Sequence, residues 1–155
     1  MAEERRILVA VEDLMTATTV AAVAARAATE EAASEIILLH VLSHQPTILG
    51  LLHLPDQSSA SPGEGEVVLE LAERAVRAQY AAMGKPEPAI AYELASGEPA
   101  AEIARVATEK QVVLLVLGAR RPGAFGLLHP DVRGGLGSRV KCAIRVAPLQ
   151  AEAAH

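Results

Sequence analysis

The residues of this chain with chemistry to offer collect in two stretches. From Val112 to Ser138 the sequence runs VVLLVLGARRPGAFGLLHPDVRGGLGS. An apolar run breaks at Gly118, a long loop opening at Ala119 carries Gly123, Gly126, Gly134 and Gly135, and the chain resumes at Gly137-Ser138. Glycine lets a backbone amide approach a phosphate oxygen with no Cβ in the way. A helix start at Gly137-Ser138 would add open N–H groups and the Ser138 hydroxyl as donors. Arg120, Arg121 and Arg133 supply cations for charge-assisted contacts. The second stretch is Glu12-Asp13, directly after the apolar run that ends at Val11. Carboxylates there suit an adenine amino group, a ribose hydroxyl or a Mg²⁺ ion close to phosphates. They suit the positive start of a following helix equally well. The loop also has a plain reading, a connection rich in Gly and Pro.

Other polar candidates are weaker. His40, His44, His53 and His129, with Glu12, have the donor types of a metal site. Their spacing is not the i,i+4 pair of a helical zinc motif, and no Cys-x-x-Cys accompanies them, so no metal is expected. Cys142 is the only cysteine, which excludes an intrachain disulfide, and its apolar neighbours point to a structural thiol rather than a nucleophile.

These groups need elements to hold them. Arg6 to Val11 and Glu35 to Leu42 are continuous apolar runs, as in strands buried on both faces of a parallel sheet. Between them Thr16 to Ala33 reads as an alanine-rich helix, with Val20, Val23, Ala24 and Ala27 at helical spacing. Strand, helix, strand makes a βαβ unit with a right-handed crossover. Ser43 to Gly65 is irregular, broken by Pro46, Pro55, Pro62, Gly50, Gly63 and Gly65. Its apolar middle, Thr47 to Leu54, suits a packed loop better than a solvated one. Glu66 to Met83 is a second helix with i,i+4 acid–arginine pairs. Ala89 to Ala95 is a third strand. Ser96-Gly97-Glu98-Pro99 starts a third helix, with Ser96 as capping residue and proline in the first turn. Gln111 to Leu117 is the fourth strand and feeds the glycine loop. Arg139 to Ala147 places Val140, Ala143, Ile144 and Ala147 at helical spacing; read as a strand, Val140, Cys142, Ile144 and Val146 line one face. The tail LQAEAAH has poor strand chemistry.

Alternating strands and helices predict one domain, residues 1–155, of three-layer α/β/α type. Its parallel, Rossmann-like sheet has four to five strands, of the flavodoxin or adenine nucleotide alpha hydrolase kind. Ligands of such sheets bind beyond the carboxyl ends of strands where the strand order reverses. If the first and fourth strands are neighbours, Glu12-Asp13 and Gly118 face one crevice. A receiver domain would need an aspartate at the end of the third strand, where Leu94-Ala95-Ser96 stands.

Composition narrows the partners. At 51% hydrophobic with 2% aromatic residues and a net charge of −5, the chain offers neither stacking platforms nor a basic surface for nucleic acid. No run is long enough to span a bilayer, and the short apolar run near the start is no signal peptide, so a cytoplasmic protein is expected.

RILVAVED with its following helix, IILLHVL, and SGEPAAEIARVATEKQVVLLVLGARR, taken in order with Gly137-Ser138 and Ala147-Pro148, resemble the universal stress protein family. The likeness covers nearly the whole chain. It implies a nucleotide site formed by Val11, Glu12, Asp13, Val41, Gly118, Ala119, Arg120, Gly123, Gly126, Gly137 and Ser138, with Val41 against the base. The implied ligand is ATP, AMP or ADP with Mg²⁺. ATP-binding members carry glycine, two residues, glycine, nine residues, then glycine and serine or threonine. Here Gly126 and Gly137 are separated by ten residues, Leu127 to Leu136. The likeness also favours a helix over Arg139 to Ala147. The family's fifth strand commonly mediates dimerisation, so a homodimer is expected, while LQAEAAH in the place of that strand implies an altered interface. Three functions follow: an adenine-nucleotide-binding stress-response domain with slow hydrolysis at most, an interaction module using Thr47 to Leu54, and, least supported, an enzyme acting on a phosphorylated or adenylated small molecule.

Overall fold

A computed structural model describes residues 4–42, 62–118, 136–137 and 139–148. Strands and helices alternate: β1 (Arg6–Ala10), α1 (Leu14–Glu30), β2 (Glu35–Leu42), α2 (Pro62–Met83), β3 (Ala89–Ser96), α3 (Pro99–Glu109), β4 (Leu114–Gly118) and β5 (Ala143–Ala147). All pairings are parallel and the order is β3-β2-β1-β4-β5. β1 is central, with Ile7 opposite Ile36 on one side and Leu114 on the other.

Two apolar layers cover this sheet. On one face Ile7, Val9, Ile36, Leu38 and Val116 pack under α1 and α2. On the other, Leu8, Ile37, Leu39, Leu115 and Leu117 pack under α3 and Leu136. Alternate residues of one strand therefore feed opposite cores, which is why these runs are unbroken rather than alternating. The buried stripe of α1 is alanine apart from Val20, so this helix lies close to both the sheet and α2. Among the described residues no helix is long and apolar enough to cross a membrane.

The expected helix over Arg139 to Ala147 is not formed. Ala143 to Ala147 is instead a fifth strand, in register with Leu114 to Gly118 of β4. Val140, Cys142 and Ile144 turn towards the α3 side, while Ala147 joins the α1 side. A five-residue segment with two β-branched residues gains little as an isolated helix, where nucleation is costly. As a strand it satisfies the open hydrogen-bonding edge of β4. The last strand is therefore present, and it precedes LQAEAAH, which lies outside the described residues.

α2 also starts earlier than predicted. Pro62 is tolerated in a first turn because its missing N–H has no intrahelical partner there. Gly65 is inside the helix, not a breaker. A Cβ at Gly65 would lie 2.7 Å from Leu94 Cδ1 and 3.0 Å from His40 Cδ2. The apolar stretch Thr47 to Leu54 lies outside the described residues.

Helix ends explain the remaining boundary shifts. Asp13 caps α1, accepting from the Thr16 N–H at 2.8 Å. α3 is capped by Glu98, not Ser96, which is the last residue of β3 and pairs with Leu42. The Glu98 carboxylate accepts from Ala100 N–H at 3.2 Å and Ala101 N–H at 2.7 Å, and Arg139 lies 3.4 Å away. Partial burial works against the charged form, yet these donors and Arg139 outweigh it and hold the Glu98 carboxyl below its ordinary value. At their carboxyl ends the three described helices close in the same way. Ala33, Lys85 and Val112 donate backwards to Ala28, Tyr80 and Ala107, each across a residue of positive φ. This is the Schellman closure, which favours glycine. α2 has Gly84 there (φ 65°), but α1 and α3 use Ala32 (φ 51°) and Gln111 (φ 52°).

Two outcomes are expected. Ala32→Gly and Gln111→Gly should each stabilise the fold by about 1 kcal/mol, because the left-handed conformation strains a residue with a Cβ; denaturant melts showing no gain for either would refute this assignment of the helix ends. Glu98→Ala should cost about 1 kcal/mol at neutral pH through loss of the cap. Because the folded-state pKa of Glu98 lies below its unfolded value of 4.5, its contribution is present above pH 4.5 and disappears as pH falls through the lower folded value. The gap between wild type and variant should therefore close in acid, as followed by melts across pH.

Candidate functional site

Strand order reverses between β1 and β4: from β1 the chain builds outward through β2 and β3, then returns to β1's other side as β4. This is the topological switch point of a parallel sheet. The two loaded turns leave from these neighbouring strand ends, Glu12-Asp13 after β1 and Gly118 at the end of β4. The neighbouring of β1 and β4, on which the expected shared crevice depends, is observed.

Six of the predicted nucleotide-site residues, Val11, Glu12, Asp13, Val41, Gly118 and Gly137, fall among the described residues. Val11 is buried, and its N–H donates to the Leu39 carbonyl at 2.8 Å, extending the β1–β2 ladder by one bond. Glu12 is exposed at the crevice. Asp13 has a structural role: its Oδ1 takes both the Thr16 N–H and the Thr16 hydroxyl, at 2.8 and 2.9 Å. Both of those bonds engage Oδ1. Val41 lies near the carboxyl end of β2, partly buried beside the α3-side core.

Gly118 closes β4 against the start of α1. A Cβ there would come within 3.1 Å of Val20 Cγ2 and 3.9 Å of Thr16 Cβ, so the strand end fits closely against the helix and a side chain would have to displace Val20. Gly137 differs. It sits in a short helical turn behind the fully buried Leu136, closed by Arg139 N–H and Val140 N–H donating to the Leu136 carbonyl. Among the described residues a Cβ on Gly137 would meet nothing within 4 Å. Ala119, Arg120, Arg121, Gly123, Gly126, Arg133 and Ser138 lie outside the described residues.

The flanks of the crevice are tied by contacts that motif reading did not find. Gly97, at φ 138°, donates its N–H to the Leu42 carbonyl at 3.0 Å and so joins the end of β2 to the start of α3. Arg139 reaches the Glu98 cap, linking the segment after Gly137 to α3. The buried His40 ring lies 2.7 Å through Nδ1 from the Val11 carbonyl, at the foot of the acidic turn. His44, His53 and His129 are outside the described residues, and among the described residues no three His, Cys, Asp or Glu side chains gather as a metal site. Cys142 is in a bend directly before β5, not in a helix, and burial pushes its thiol up. A protonated thiol is a poor nucleophile.

The fold has known counterparts. Comparison with curated proteins finds no match. Among solved structures the chain is similar to a universal stress protein in complex with cAMP, at 16% identity and TM-score 0.66, covering 96% of this chain and 100% of that one. It is also similar to the universal stress protein from Archaeoglobus fulgidus in complex with dAMP, at 16% identity and TM-score 0.61, covering 95% and 99%. A third is universal stress protein UspA from Lactobacillus plantarum, at 20% identity and TM-score 0.57, covering 95% and 99%. At these identities the likeness establishes the fold. The sequence itself matches the universal stress protein family over residues 4–147, a span that holds every strand and helix described above, and the chain belongs to that family.

Proposed function

We propose that the protein is a stress-response regulatory domain that binds an adenine nucleotide (AMP, ADP or ATP, with Mg²⁺ for the polyphosphates) at the carboxyl ends of β1 and β4. The observation that carries this reading is the adjacency of those two strands at the point where sheet order reverses, with an acidic turn on one and a glycine turn on the other. The adenosine end would lie by Val41 and Glu12, with Asp13 Oδ2 directed to a ribose hydroxyl or to a hydrated Mg²⁺. The phosphates would lie by Gly118, Ala119, Arg120, Gly123, Gly126, Gly137 and Ser138, where backbone N–H groups and guanidinium ions suit an anion. The room beside Gly137 supports the placement, since nothing in the described packing requires glycine there. Relatives of this fold solved with cAMP and dAMP agree with an adenine nucleotide as ligand. We further propose a homodimer, because β5 is an edge strand whose outer backbone is unpaired by any described strand.

Gly137 and Gly118 provide paired tests. Gly137→Val should leave thermal stability close to wild type and weaken ATP binding in calorimetric titration by about tenfold or more, the scale of one lost charge-assisted hydrogen bond. Gly118→Val should lower both stability and affinity, since its side chain collides with Val20. Absence of binding by the wild-type chain to ATP, ADP and AMP, with and without Mg²⁺, would refute the proposal. For the dimer, sedimentation velocity should show twice the chain mass at micromolar concentration, and a monomer throughout would refute it.

A further inference from the structure

The imidazole of His40 is buried, 7% exposed. Its surroundings explain why a polar ring is there. The β1–β2 register runs from Arg6 opposite Glu35 to Ala10 opposite Leu39. Val11 still donates to Leu39. In a continuing parallel ladder the Val11 carbonyl would accept from the main chain of β2. Instead its oxygen meets Nδ1 of His40 at 2.7 Å. A carbonyl only accepts, so Nδ1 carries the proton. β2 goes on pairing with β3 through Val41 and Leu42. β1 leaves the sheet here while β2 continues, and the ring is the strut at its point of departure.

The strut sets a direction. No peptide bond in the described chain is cis, and across a trans peptide the C=O and the next N–H point in opposite senses. With the Val11 carbonyl drawn to the β2 side, the Glu12 N–H is directed to the side of β1 where β4 lies. The acidic turn therefore enters the crevice at an angle held by His40. A second observation bears on the same ring. α2 passes over it at Gly65, where a Cβ would lie 3.0 Å from His40 Cδ2. Gly65 lies in the first turn of α2, and with no Cβ there the helix backbone comes close to the Leu94 side chain and to the Cδ2 edge of the imidazole.

We infer that His40 is a positioning residue for the crevice: through the Val11 carbonyl it sets how the Glu12-Asp13 turn leaves the sheet, and Gly65 makes room for it to do so. As a statement about ligand binding this rests on the adenine-nucleotide reading above.

The test compares His40→Asn with His40→Leu in the full chain. Asparagine carries a donor nitrogen on Cγ, as histidine carries Nδ1, whereas leucine fills similar space without one. In the ligand-free protein, ¹H–¹⁵N spectra of His40→Leu should show displaced Glu12 and Asp13 amides, while His40→Asn should keep them near their wild-type positions. In titration with AMP, His40→Leu should bind about tenfold more weakly and His40→Asn within about twofold of wild type, the difference being one hydrogen bond. A purely structural role predicts the same loss for both variants. The inference is overturned if His40→Leu leaves both amides in place, or if the asparagine variant binds as poorly as the leucine one. If wild-type protein binds no AMP, the ligand reading and the role of His40 towards it fall together, and the amide arm separately decides whether the ring orients the turn.

Discussion

Ile7, Leu8 and Val9 expose no surface, and β1 is paired along both edges and covered on both faces. Total burial of the central strand constrains everything around it. Its main chain must find partners on two sides, which β2 and β4 provide. Its side chains, alternating between faces, need two separate apolar layers. Removing an aliphatic side chain of this kind from water is worth about 1.5–3 kcal/mol, so the three together outweigh any local preference of the helices above them. α1 accordingly presents small residues, because only alanine lets a helix lie close to both this strand and α2.

That same constraint creates the crevice. A strand buried on every side can offer its neighbours' chemistry only at its ends. At the carboxyl end of β1 the chain turns into α1 through Asp13, which spends one oxygen capping the helix. At the end of β4 the chain must pass the first turn of α1, and Gly118 leaves just enough room. The glycine is thus explained by packing, independently of any ligand. Gly137 has no such explanation among the described contacts, which separates a glycine needed for folding from one compatible with an occupant. A motif treats the two alike; geometry does not.

Much of the fold was legible because its elements are long, strongly apolar and punctuated. Four strands, three helices and the parallel sheet follow from unbroken aliphatic runs alternating with amphipathic segments. The last element was misread because AIRVA fits both periods. Its resemblance to a family pattern was resolved towards helix, whereas an unpaired edge on β4 resolved it towards strand. The start of α2 was misread for a related reason: Pro62 and Gly65 break helices on average, but one sits in a first turn and the other faces an imidazole. Of the candidate site, the positions of Glu12, Asp13, Val41 and Gly118 were legible from strand ends. The clamp between His40 and Val11 was not, since a histidine's spacing to other histidines says nothing of a carbonyl on the neighbouring strand.

The sequence by itself therefore determined the alternation of elements, the burial of β1, β2 and β4, and the kind of groups that follow β1 and β4. Those properties depend on residues near one another in the chain. Tertiary structure alone decided that β1 and β4 are neighbours and that residues 143–147 complete the sheet. It also decided that His40 ends the β1–β2 ladder. Each of these is a pairing across many residues of chain, settled by which hydrogen-bonding edge remained open and which surface still needed cover.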